Sequence, residues 1–344
     1  MITHKGPNHL IVEGKMKKKV DTSAAVEPPH KRGFFDSLTS LVFTAFFLAL
    51  AFRHSDFSFP PDAPWYINGN YYQVKWVQLV DAIGGEKMAS IHGYVIPRIL
   101  FYWGMAIPFL IVDFTGKPAF IKKYKVQPGT NEPLAPRKFM EMVSHVLFNQ
   151  IVVGFFYGYV HYWLMLLRGC PTAYELPSLG RFVLDFLILL PLFEIGLYYS
   201  HRILHHRWFY KRFHKLHHEN TAVVCIDNHR VHWFEHIFST LLPHSLAAIV
   251  VGTHTFTYWF YIGVININTI WSHCGYHLPF LPSPELHDYH HLKYHEAFGG
   301  FGWLDRIHGT DDSFRKTVHY KRHRVLLSLK SARELWPDVD EKKK

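Results

Sequence analysis

The sequence predicts an all-α integral membrane protein, with about four transmembrane helices, a membrane hairpin and a cytosolic, histidine-rich helical cap. Three observations lead there. Hydrophobic residues make up 49% of the 344 residues and aromatic residues 17%, and they are gathered in long runs. Lys and Arg sit in the short segments between those runs and at both ends, as in proteins held against anionic lipid. Histidine is as abundant as Asp and Glu together, 27 of each, and crowds into the C-terminal part of the chain.

The elements follow in order. Residues 1–33 are polar, with Lys17, Lys18 and Lys19 in a row and no apolar core, and predict a disordered cytosolic tail rather than a cleavable leader. Phe34 to Phe52 is apolar over a length that crosses about 30 Å of hydrocarbon as a helix, and opens a transmembrane region covering 34–175. Further spans are expected at Val95 to Val112, Val143 to Leu167 and Phe182 to Tyr199, each bounded by charge or by Pro and Gly. The run from Ile237 to Ile270 is too long for one span. Pro243, Gly252 and Gly263 interrupt it, so it reads as a hairpin that enters and leaves the membrane on one side. Residues 321–344 read as a basic C-terminal tail.

Loop charge sets the expected orientation. Lys and Arg precede the first span, and Lys117, Lys122, Lys123, Lys125, Arg137 and Lys138 lie between the second and third, which puts those segments and the histidine clusters in the cytosol. The formal charge of +10 comes with no DNA- or RNA-reading module, so anionic lipid and not nucleic acid is the expected partner. Three widely spaced cysteines without a Cys-x-x-Cys pair indicate neither a disulfide framework nor a thiolate zinc site.

Four histidine clusters carry the chemistry. They are His201-x3-His205 followed by His206, His214-x2-His217-His218, His273-x3-His277, and His287-x2-His290-His291. On a helix, positions i, i+3 and i+4 share a face, so each cluster can aim two or three ring nitrogens at one point. A lone His-x3-His is usually an exposed pair without a ligand. Four clusters, brought together by a hairpin that returns the chain to one membrane face, predict a metal site. Ten rings, setting His206 aside, exceed what one ion takes, so two ions are inferred. Imidazole suits iron, zinc, copper and nickel alike, and spacing does not choose among them. A structural zinc would close with four ligands and favour cysteine, and the Glu-x-x-His sets of soluble di-iron bundles are absent.

The segments HRILHH, HKLHH, HCGYHLPFLPSPELHDYHH and GWLDRIHGTDD resemble the fatty acid hydroxylase and sterol desaturase superfamily, over roughly residues 176–320. Within it, SHCGYHLPFLPSPE and FIKKYKVQPG are most similar to the fatty acid hydroxylase domain-containing protein 2 group, relatives of the sterol C-4 methyl oxidases. The resemblance implies a catalytic domain over 176–320 and two Fe ions held by His201, His205, His214, His217, His218, His273, His277, His287, His290 and His291. It also implies O2 as oxidant, electrons from NAD(P)H through an external cytochrome b5 and its reductase, and an endoplasmic reticulum membrane location. His206 fits the first box less well. In HRVHWFEH only His232 matches the His-Pro pair that sterol oxidases tend to carry, and it joins the candidate catalytic residues; His229 and His236 read as interfacial.

Glu194 and Tyr198, on the helical face that ends at His201, are the other candidate catalytic residues, Glu194 as the carboxylate that orients a histidine N–H. Asp185 reads as a contact between helices, and Asp288 and Asp305 as support for the site or as caps. No Gly-rich dinucleotide fingerprint is present, so electrons are expected from outside the chain. Three readings of function remain: oxidation of a membrane lipid, either a C-4 methyl sterol or a fatty acyl chain or sphingolipid; a zinc-loaded lipid-binding protein without catalysis; and a scaffold retaining an old site.

Overall fold

The computed structural model describes residues 69–170 and 174–338. The N-terminal segment and the expected span from Phe34 to Phe52 lie outside the described residues. Among the described residues the chain is helical and has no strand; a lone antiparallel bridge pairs Lys125 with Tyr276. The membrane part is built from α1 (Gly69–Ile83), α2 (Gly85–Thr115), α3 (Pro136–Arg168), α4 (Leu179–Leu204), α5 (Trp233–Val251) and α6 (Thr255–Ser272). Of these, α2 to α5 are long and apolar enough to cross a membrane. Large apolar side chains point outward from them, such as Leu100, Phe156 and Leu167, which suits hydrocarbon and would be costly in water.

The expected spans lie inside α2, α3 and α4, which extend past the apolar runs; α2 begins at Gly85, where Ala89 packs against Trp76 of α1. The hairpin is present as α5 and α6, but the chain turns only at Gly252, whose φ of 67° is open to glycine at little cost. Pro243 does not divide it, because at the start of a helical segment its missing N–H costs nothing. Gly263 does not either: a Cβ there would come within 2.7 Å of the Phe101 ring, so it lets α6 approach α2. Between the first two expected spans, where no element was expected, the chain forms α1; it buries Trp76 and Val80 against Ala89 and Trp259. Tyr94, Phe186, Leu189, Tyr261 and Ile265 join α2, α4 and α6 in one core cluster.

The tract around Lys125 straps the end of α2 to the cap. The Lys125 ammonium lies 2.9 Å from Asp113 Oδ1, and the Tyr276 hydroxyl donates to the same oxygen at 2.7 Å. Val126 N donates to Gly275 O, and His277 N to Tyr124 O. Breaking a buried ion pair from one side leaves an uncompensated charge, so Lys125→Met should lower stability by about 3 kcal/mol. Thermal unfolding of the detergent-solubilised protein measures it, and an unchanged midpoint would contradict the strap.

The C-terminal stretch expected to be a tail is packed as far as residue 338. Arg322 is fully buried and donates to Trp336 O from Nε and Nη2 at 2.9 and 2.6 Å. Ser331 caps the turn Ala332–Leu335 in a reciprocal box with Glu334, and Arg333 donates to Val126 O. Arg322 and Arg333, expected in a basic tail, thus bond backbone carbonyls.

Candidate metal centre

The cap brings nine of the ten candidate histidines into two adjacent groups. His201, His205, His214, His218 and His290 form one, and His217, His273, His287 and His291 the other; within each, the potential ligand nitrogens lie within 4.8 Å of one another. His201 and His205 are one turn apart at the end of α4. The chain then winds through a π-helical turn, Tyr210–His214, and a tight turn, His217–Glu219, before α7 (Glu285–Lys293) supplies His287, His290 and His291. His273 stands at the C-terminal cap of α6.

Each His-x2-His-His triplet is split between the groups, not aimed at one point. At 3.6 residues per turn, i and i+4 are about 40° apart, while i+3 lies about 60° to the other side. His287 and His291 therefore share the second group and His290 joins the first; His214 and His218 share the first and His217 joins the second.

In the first group Nε2 faces Nε2. The separations are 3.2 Å for His201 and His214, 2.8 Å for His205 and His214, 3.0 Å for His214 and His218, and 3.2 Å for His218 and His290. In the second, His273 and His287 meet at 2.8 Å and His287 and His291 at 3.2 Å. The Nδ1 atoms face outward. His201 donates to Phe298 O at 2.7 Å, His290 to Glu296 O at 2.6 Å, and His214 to Glu235 Oε1 at 2.7 Å. His217 donates to Asp227 O, His291 to Asn220 O and His273 to Thr269 O.

A carbonyl only accepts, so these rings carry their proton on Nδ1 and present a lone pair at Nε2. Lone pairs that face one another at 3.2 Å, as those of His201 and His214 do, repel unless a cation shares them. That cation is not a proton: burial pushes the His214, His217, His287, His290 and His291 pKa values well below the ordinary value, and that of His273 down to about 4. Neutral imidazoles with Nδ1 pinned and Nε2 converging are the donor set of a metal ion.

The remaining candidates sit elsewhere. His277 joins neither group, because Glu285 at 3.4 Å and the Arg324 carbonyl at 2.9 Å take its two nitrogens. The His206 and His232 rings each cap a short helix, with Nδ1 accepting from Trp208 N and Phe234 N. The Tyr198 hydroxyl is bound by Thr310 and Arg202, away from the ligand nitrogens. Glu194 orients no histidine: its carboxylate accepts from Gly300 N at 2.9 Å and Phe301 N at 3.1 Å. Asp305 accepts from Phe298 N and Gly299 N in the same loop. Together they fix the loop whose Phe298 carbonyl receives His201. Asp185 bonds Arg181 one turn earlier on α4 and Thr253 in the turn between α5 and α6, so it ties α4 to the turn and not to a second helix, and Asp288 accepts from Gln127 of the basic loop.

Glu235 and Asp227 were not among the expected residues. Glu235 lies in HRVHWFEH, where a carboxylate among histidines was a signal that could have been read. Asp227 accepts from Asn220 Nδ2 and Val224 N, bracing the loop whose carbonyls receive His217 and His291. Removing a partner that orients a ligand typically weakens metal binding 10- to 100-fold. Glu235→Ala should show a loss of about that size in a chelator competition; full retention would leave Glu235 without this role.

A cavity of about 100 Å³ opens beside both groups, lined by His201, His214, His217, His273 and His287 on one side and by Arg98, Asn228 and Phe193 among others. Its size admits one end of a lipid.

Helices that suit a bilayer and a buried, all-histidine donor set together define a membrane protein with side chains placed to hold metal. The family model for fatty acid hydroxylases matches residues 186–310, the stretch that holds both histidine groups. Fatty acid hydroxylase domain-containing protein 2 of Macaca fascicularis is 42% identical over 80% of this chain and 83% of its own length. Methylsterol monooxygenase 2-2 of Arabidopsis thaliana is 27% identical over 74% of this chain and 97% of its own, and the very-long-chain aldehyde decarbonylase GL1-8 of Oryza sativa subsp. indica 26% over 70% and 92%. No solved structure matches the chain. The chain belongs to the fatty acid hydroxylase family, in the fatty acid hydroxylase domain-containing protein 2 group.

Proposed function

We propose that the chain is an O2-dependent lipid oxidase of the endoplasmic reticulum membrane, holding two iron ions on its cytosolic face and oxidising a C-4 methyl sterol. The carrying observation is the pair of buried groups in which pinned imidazoles turn their lone pairs toward one another. Iron bound by these nitrogens supplies the activation of O2 that attack on an unactivated C–H bond requires. Catalytic roles for Glu194, Tyr198 and His232 find no support in their contacts, and Glu194 serves as a positioning residue.

The chain's own residues bind and shield. Carbonyls 298, 296, 227, 220 and 269 hold the rings of His201, His290, His217, His291 and His273 in one tautomer, with Nε2 free to bind a metal. Phe193, Leu197, Phe298 and Phe301 line the cavity beside the histidines and exclude water from it. The cytosolic orientation is supported by the strap, since the basic loop after α2 is tied to Tyr276 and Asp288 of the cap and lies on the same side as the histidines. The sterol assignment is supported by the methylsterol monooxygenase among the relatives. Electrons then come from NAD(P)H through cytochrome b5 and its reductase.

Sterol and fatty-acid profiles of cells expressing the chain, or its His217→Ala and His218→Ala double variant, test the reading. C-4 methyl sterols should accumulate only when the histidines are lost. Loss of hydroxylated acyl chains in the variant would replace the sterol with an acyl substrate, and identical profiles would leave a non-catalytic lipid binder.

A further inference from the structure

Arg98 projects from the middle of α2 and is only 2% exposed. Its Nε and both terminal nitrogens have no hydrogen-bond partner, and the guanidinium rests on the Tyr94 ring at 5.1 Å. Beside it on the cavity wall, Asn228 is also buried, and neither its Nδ2 nor its Oδ1 has a hydrogen-bond partner. Glu235 is the one acidic residue in the lining; its Oε1 is taken by His214, and it forms no ion pair with Arg98. The titratable groups electrostatically coupled to Arg98 are four histidines and four tyrosines, among them His244 on α5 and Tyr258 and Tyr261 on α6, and none is a carboxylate that could neutralise it.

A cation buried in this way within a span costs several kcal/mol unless an anion compensates it. The guanidinium fork matches the two oxygens of a carboxylate, and an adjacent amide N–H can serve one of them. A cavity of about 100 Å³ accommodates such a group together with a few carbons, and metal-ligating histidines form its other wall.

We infer that Arg98, assisted by Asn228, binds the carboxylate of an acidic lipid inside this cavity. The inference rests on the cavity being the lipid site. It extends the substrate class from neutral lipids to lipid acids, whether a sterol bearing a carboxyl group or a fatty acid, and it makes an acidic product slow to leave.

Retention of radiolabelled lipids by the full chain in nanodiscs tests it, with two matched pairs: hexadecanoic acid against hexadecan-1-ol, and a sterol carboxylic acid against its alcohol. The wild type should retain at least one acid about tenfold better than its alcohol, a difference of about 1.4 kcal/mol. The pair showing the preference identifies the acid. Arg98→Gln should bring that ratio close to one with alcohol retention unchanged, and Arg98→Lys should keep part of it. Asn228→Leu should lower it less, and provides the readout if the arginine variants do not fold. Equal retention of acid and alcohol by the wild type, or a preference that survives Arg98→Gln, overturns the inference alone. Retention of neither lipid overturns it together with the lipid-site reading.

Discussion

His214→Ala should cost the protein about one metal ion per chain and reduce lipid-dependent oxygen consumption on the order of 100-fold or more, beyond the effect of losing an orienting partner alone. Its Nε2 is the hub of the first group, within 3.2 Å of the corresponding atoms of His201, His205 and His218. Removing it also strands the Glu235 carboxylate, which is buried and whose other oxygen has no partner. Elemental analysis of the purified variant decides the matter. Two ions still bound would mean that the first group is not a ligand set. The double variant His214→Ala, Glu235→Leu should recover stability without recovering metal, because it removes the stranded charge and still lacks the ligand.

Gly299→Ala is expected to be nearly as damaging, though it touches no ligand. A Cβ at this position would clash with Glu194 Oε1 and lie 2.8 Å from Asp305 Oδ2. Neither carboxylate can swing away freely, since both hold backbone N–H groups of the same loop. The loop would have to lift, carrying off the Phe298 carbonyl that fixes His201. Overpacking of this kind costs about 1 to 3 kcal/mol, and metal retention should fall with it. Gly104→Ala is the internal control: nothing lies within 4 Å of its Cβ position, so the melting temperature should stay level or rise. If the two glycine variants behaved alike, the carboxylate clamp would have no energetic weight.

Much of this architecture was legible because hydrophobic runs and histidine spacing are local signals. The apolar stretches inside α2, α3 and α4 announced those helices, and Gly252 announced the turn of the hairpin. Helix α1 escaped because its pattern, with Trp76 and Val80 inward and Tyr72 and Leu79 outward, carries too little hydrophobicity to stand out from a connecting segment. The nine histidines that gather into the two groups were readable, and the helical phase of i, i+3 and i+4 already separates each triplet into two faces; which faces of the distant segments meet is what spacing does not give. His277 shows the reverse error: the His-x3-His pattern was present, yet the chain leaves the helix at His273, and one turn of regular geometry no longer joins the pair. The carbonyl acceptors have no sequence signature at all, because every residue carries one.

The split of the triplets also imposes an order on assembly. His201, His205, His214 and His218 all precede the hairpin, whereas His217 is the lone member of the second group to do so. As the chain emerges and inserts, four-fifths of one ligand set exists before α5 and α6 have crossed, and the other must wait for His273, His287 and His291 to return. Before the hairpin closes, the first set therefore lacks only His290, whereas the second holds only His217.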